Sequence, residues 1–267
     1  VTVLSGIRSG IRSGFYGDIN PIPGRRFPAS ALAWSAAFPS ITVPTAIWTF
    51  QETASPILDK IGSSNLVENN PLLYAQAGDT EPTASPRASL ELDTTGGGEW
   101  TGPSSTTFGN IGVSQSLSIY LRFRIPDSAA TVRPLAGKGA GAVTRYAIQV
   151  QATTGVIRAQ VSNGTNTTNI DSSTGYDDGN YHDLLYVIDS VADVARLFVD
   201  SETVTAVALD AGIVTTIDTT GLAPAQGLRV GATNSGIPLL GTRYSYMALW
   251  SNVVLTAANF TTIRTSN

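Results

Sequence analysis

The chain has 267 residues, of which 13% are charged, and a net charge of −4 at neutral pH. It contains no cysteine and a single histidine, which removes disulfide frameworks, thiolate chemistry and the usual zinc sites. No apolar run of about eighteen residues occurs, and Val1 to Leu4 is too short for the apolar core of a signal peptide. Abundant Thr, Ser, Gly and Ala favour β structure over helix bundles. A start at Val1 is compatible with a removed initiator methionine.

The first forty residues differ from the rest. They carry Arg8, Arg12, Arg25 and Arg26 against Asp18, a net +3 that leaves −7 on the remainder. The unit Ser-Gly-Ile-Arg occurs twice from Ser5 and begins again at Ser13. On a helix, Val3, Ile7, Ile11 and Phe15 form a stripe of four-residue spacing, with Arg8 and Arg12 beside it. Gly6, Gly10 and Gly14 weaken that helix by about 1 kcal/mol each relative to alanine, so the segment is expected to order only against a partner. Asn20-Pro21-Ile22-Pro23-Gly24 then stops any helix, because proline lacks the amide donor and biases its predecessor toward extended backbone. Residues 1–40 therefore read as an extended or partly helical arm. Ile7, Ile11 and Phe15 would dock it and Arg8 and Arg12 would pair with acidic groups on the receiver; a mildly charged, solvated tail is the alternative.

From Ile41 to Asn267 the chain reads as one body of strands and turns. Ala46 to Glu52 alternates with a two-residue period, and Asp59 to Leu66 turns into another strand. Leu117 to Phe123 places Leu117, Ile119, Leu121 and Phe123 on one face and Arg122 among the outward positions. Tyr146 to Val150 and Ile157 to Val161 form a hairpin across Thr153-Thr154-Gly155. Tyr181 to Asp189 and Ala195 to Asp200 form another, across the turn formers between Asp189 and Asp193. Tyr244 to Trp250 is a late strand, and Leu255 to Ile263 a short terminal helix with Thr256 suited to cap it.

These segments resemble, in order, the motifs of laminin-G-like, concanavalin A-like jelly-roll domains. Tyr181-His182-Asp183 through Asp189, continued by Leu197-Phe198-Val199-Asp200, is similar to the "W-H-x-V-A-x-x-x-D … L-Y-V-D-G" passage. Trp48-Thr49-Phe50-Gln51-Glu52 with Asp59 to Leu66, Ala88 to Gly98, Leu135 to Gly139 and Leu228 to Gly231 resemble other stretches of the same family. The resemblance spans Ile47 to Ile263 and leaves the arm outside. It implies an all-β, two-sheet antiparallel jelly-roll sandwich.

Little chemistry is expected. His182 lies in the strand motif where the family has a histidine, so a structural role is expected. No Gly-x-Ser-x-Gly surrounds any serine, and Glu91-Leu92-Asp93 lacks the third acid of the glycosidase signature found on this sandwich. Calcium is the one candidate cofactor, through Asp177 and Asp178, with Asp171 or Asp218 as further oxygens; Asp177-Asp178-Gly179-Asn180 is equally a plain turn. Trp100, Tyr176 and Tyr244 are the candidates for stacking on a sugar, and core packing explains each as well.

The resemblance, the basic arm and the neutral hydroxyl-rich surface together imply a non-enzymatic structural protein of a virus particle. Laminin-G-like folds are similar to modules on phage capsids and tails, so this expectation rests on fold analogy. The expected place is the surface of a phage virion, after synthesis in the host cytoplasm without a signal peptide. Expected partners are other virion proteins and further copies of the chain, with neither nucleic acid nor membrane. The alternative is a lectin-like module that binds host or environmental glycans.

Overall fold

The computed structural model describes residues 31–50, 56–69, 90–91, 99–102, 111, 115–125, 132–140, 143–210, 212–213, 227–231 and 242–265. In chain order the elements are α1 (Ala31–Ala37), β1 (Ala46–Trp48), β2 (Val67–Asn69), β3 (Leu90–Glu91), β4 (Glu99–Thr101), β5 (Leu117–Arg124), β6 (Arg133–Ala140) and β7 (Val143–Val150). There follow β8 (Val156–Ser162), β9 (Thr167–Gly175), β10 (Tyr181–Asp189), β11 (Val194–Val199), β12 (Glu202–Thr203), β13 (Val207–Ala208), β14 (Arg229–Val230), β15 (Arg243–Ser251) and α2 (Ala257–Thr265).

Among the described residues the strands form two antiparallel sheets. The first runs β1-β15-β5-β10-β11-β12, with β3 on β15 and β13 on β11; the second runs β2-β4-β14-β6-β7-β8-β9. The predicted alternation places Leu117, Ile119, Leu121 and Phe123 of β5 and Leu184, Tyr186 and Ile188 of β10 in the core between the sheets. They meet Ile148, Ile157, Val161 and Ile170 of the second sheet there. The chain is thus the all-β, two-sheet jelly-roll sandwich that the motif order implies.

The outer face of the first sheet departs from the expectation of a polar surface. Tyr120, Leu185, Val187, Phe198 and Trp250 form a second apolar cluster there, covered by Trp34 and Phe38 of α1 and by Phe260 and Ile263 of α2. Trp34 meets Trp250 edge to face with ring centroids 5.5 Å apart, and Phe198 meets Phe260 at 5.9 Å. Trp34 and Phe38, at the end of the segment read as an arm, are buried against the body together with Ile41. Ile7, Arg8, Ile11, Arg12 and Phe15 lie outside the described residues.

Arg122 is outward but not solvated. Its Nη1 lies 3.1 and 3.0 Å from the two carboxylate oxygens of Asp183, and the Tyr120 hydroxyl donates to Asp183 Oδ1 at 2.6 Å. A bulge between Tyr244 and Tyr246 shifts the parity of β15. Tyr244 therefore enters the core between the sheets while Tyr246 joins the outer cluster.

Both edges of the first sheet are finished by side chains. At β1, Asp59 accepts the amides of Ile47 at 3.1 Å, Ile61 at 3.1 Å and Ser64 at 3.1 Å, which satisfies an edge donor and closes the turn. At the other edge Glu202 accepts the Ser173 amide at 2.6 Å, and the Asp210 amide donates to Thr168 at 2.8 Å. These bonds tie β12 and β13 to β9 and close that side of the sandwich. The expected cap forms at α2, where the Asn259 amide donates to Thr256 Oγ1 at 3.2 Å and the Thr256 amide to Asn259 Oδ1 at 2.9 Å.

Candidate functional site

The polar residues singled out in the sequence gather around His182. Its Nδ1 lies 2.7 Å from Asp200 and its Nε2 2.9 Å from Asp178. Asp178 is positioned by the Asn180 amide at 2.8 Å, and Asp200 accepts the Asp183 amide at 2.9 Å from a left-handed backbone, φ 51°. Tyr176 stacks edge to face on the imidazole at 5.0 Å and donates to Glu202 at 2.7 Å. Burial works to lower the His182 pKa, but the two carboxylates outweigh it and the pKa is raised. Burial also opposes ionisation of Asp178, and the hydrogen bonds from Asn180 and His182 overcome it to hold that pKa at about 2. Engaged on both nitrogens, the imidazole bridges Asp178 and Asp200 and joins the turn before β10 to the end of β11.

The metal pair of the sequence reading does not converge. Asp178 turns to Asn180 and His182, whereas Asp177 packs over the Thr153-Thr154-Gly155 turn, where a Cβ on Gly155 would overlap its carboxylate. Asp171 is held by Arg158 through two bonds of 2.8 and 2.7 Å, and Asp218 lies outside the described residues. Among the described residues no group of three or more His, Cys, Asp or Glu side chains could hold a metal ion.

The sugar-stacking candidates are corrected by their burial. Trp100 and Tyr244 are fully buried, packed on each other at 5.6 Å and on Phe50 at 5.3 and 5.7 Å. Tyr176 is only 8% exposed. Trp100 lies on β4 opposite Val230, a core position, so its indole fills the space between the sheets instead of facing a ligand.

A groove that the sequence did not indicate lies at the edge of the first sheet, with a volume of about 530 Å³. Its floor is Phe198 of β11. One wall is the extended segment 203–206, between β12 and β13; the other is 254–257, leading into α2. Apolar surface comes from Val204, Val254 and Leu255, and hydroxyls from Thr203, Thr205 and Thr256. Arg196 stands at one end, its Nη1 held 2.8 Å from Asp189. The walls are far apart in the chain, and the one hint in the sequence is a threonine-rich break between two short strands.

No protein-family model and no curated protein sequence matches the chain. Solved structures do. The binding domain of Paraclostridial mosquitocidal protein 1 superposes with a TM-score of 0.60 at 9% identity, over 81% of this chain and 50% of that one. The binding domain of botulinum neurotoxin DC in complex with SialylT gives 0.56 at 8% identity, over 84% and 52%. Trypanosoma rangeli sialidase in complex with the inhibitor DANA gives 0.54 at 11% identity, over 84% and 33%. This chain thus spans about half the length of the two toxin domains and a third of the sialidase. The likeness is one of fold, and the class it defines is the two-sheet jelly-roll β-sandwich.

Proposed function

We propose that this chain is a non-catalytic glycan-binding module whose ligand occupies the groove between segments 203–206 and 254–257. The observation that carries this reading is the groove itself. Its volume of about 530 Å³ falls in the range of small-ligand sites, about 300–1,000 Å³. An apolar floor suits the C–H face of a sugar ring, and the hydroxyls of Thr203 and Thr205 exchange hydrogen bonds with ring hydroxyls, while that of Thr256 is taken up by the cap of α2. The Arg196 guanidinium adds a donor for acidic sugars. Similar folds lend support, since one is a neurotoxin binding domain in complex with SialylT. Another, of botulinum neurotoxin type C, concerns interaction with two ganglioside molecules. A glycan array of neutral and acidic saccharides tests the reading. Wild type should bind, and Thr205→Trp, which fills the groove, should bind at least about tenfold more weakly, a loss of roughly 1.4 kcal/mol. Binding that is absent, or indifferent to Thr205→Trp, overturns it.

The second reading places this module on the surface of a virus particle, tethered through residues 1–30. It is favoured by the rooting of the arm, whose last segment anchors fully buried Trp34 and Phe38 in the body, so a load on the arm reaches the outer apolar cluster of the first sheet. Deleting residues 1–30, and not 1–40, should leave the melting temperature unchanged and abolish incorporation into the particle. Unaltered incorporation sinks this reading.

A further inference from the structure

We infer that the groove selects acidic saccharides, with a sugar carboxylate seated on the open edge of Arg196 and facing the N-terminus of α2. This class of ligand rests on the glycan reading of the same groove. Among the described residues Arg196 is the only charged side chain that lines it, and no acidic one does. Two acids of the neighbouring segment are spent elsewhere. Asp200 is taken by His182 and the Asp183 amide, and Glu202 by the Ser173 amide and the Tyr176 hydroxyl. The groove is therefore lined by one sign of charge, which favours an anion.

The guanidinium is fixed in place but only partly used. Its Nη1 lies 2.8 Å from Asp189 Oδ2, and the other oxygen of that carboxylate accepts the Ala192 amide at 3.0 Å. Asp189 thus orients the arginine without covering it. Nε and Nη2 have no hydrogen-bond partner among the described residues, and the side chain is 29% exposed. Because Nη1 is the nitrogen on the Cδ side, the Nε and Nη2 hydrogens lie parallel on the other edge and form a complete two-donor fork. A carboxylate fits such a fork through both oxygens, a geometry that a lone hydroxyl cannot match.

The wall from 254 to 257 adds to the same preference. Thr256 caps α2 by accepting the Asn259 amide, and the Phe260 amide closes on the Thr256 carbonyl. The amides of Ala257 and Ala258 have no partner among the described residues, both residues are exposed, and Ala257 lines the groove. No acidic side chain stands in the first turn to neutralise them. Open amides at the positive end of a helix dipole favour an anion. A guanidinium fork from β11 and the start of α2 thus line one groove, and the exposed Thr203 and Thr205 hydroxyls remain for the sugar ring.

An oligosaccharide containing uronic acid and its carboxyl-reduced form differ only in the carboxylate, and titrating both against the full chain by calorimetry tests the pairing. The acidic form should bind at least about tenfold more tightly, as a charge-assisted, two-bond contact supports. Arg196→Gln should bring the ratio of the two affinities to about one. The ratio is taken within one variant, so a general loss of folded protein leaves it unaffected. Ala258→Glu stabilises the helix N-terminus but sets a carboxylate of its own beside the open amides, and at low salt it should lower the ratio about twofold or more. A ratio that survives both substitutions, or that survives Arg196→Gln alone, overturns the inference. A wild-type ratio near one overturns it too and leaves the glycan reading standing, provided that Thr205→Trp weakens both forms. Binding of neither form removes the glycan reading and this inference together.

Discussion

His182 couples the stability of this sandwich to pH. Its pKa is raised above the ordinary 6.5, so the clasp contributes fully below that value and fades as pH rises through the folded-state pKa. Asp178 runs the other way. Its folded pKa of about 2 lies below the ordinary 3.8, so its contribution is full above 3.8 and lost as pH falls toward 2. The melting temperature should therefore be highest between these ordinary values and decline on both sides. His182→Gln should remove the alkaline decline while leaving a folded protein. A wild-type melting temperature that stays level from about pH 6 to 9 would show that the imidazole is not held as a cation. The Arg122–Asp183 pair is a different case, because side-chain exposures of 6% and 3% leave no water to compensate a lost partner. Asp183→Ala alone should cost about 3–5 kcal/mol in chemical denaturation, while Arg122→Met with Asp183→Leu should cost far less, since no bare charge remains.

Elements divide between those whose own pattern specified them and those that depend on a neighbour. The hairpin of β10 and β11 was legible because its apolar residues and turn acids stand together, and the pairing of Leu184 with Val199 through Asp189 with Val194 follows. The apolar run Leu184 to Ile188 is buried on both faces, with Leu185 and Val187 in the outer cluster, which the sequence reading did not anticipate. The terminal helix was legible down to its cap. Helix α1 was not, since seven residues with no acidic N-terminal or basic C-terminal turn hold little helix signal. It forms because Trp34 and Phe38 find Trp250. Trp34→Ala should accordingly cost about 3–5 kcal/mol, read by denaturant unfolding, and leave Trp250 in a wetter, red-shifted environment. Loss below about 1 kcal/mol would mean that α1 is an ornament on the sheet.

At the scale of the molecule, one sheet does two jobs. Its inner face makes the core of the sandwich, and its outer face makes a second core with segments from either end of the described chain. The same outer face carries the groove, where the covering by α2 ends. The sequence by itself determined the β class, the order of the principal strands and which residues of a strand share a face, because a two-residue period and turn chemistry are local properties of the chain. For the aromatic candidates Trp100, Tyr176 and Tyr244, sugar stacking and core packing both stayed open in the sequence, because period two assigns a side to each residue and cannot say which side is wet. Only the tertiary structure decided that, along with the clasp on His182 and the groove. The groove is made by segments that the chain holds far apart, and the clasp is closed by Asp200, which the pairing of β10 with β11 brings to His182.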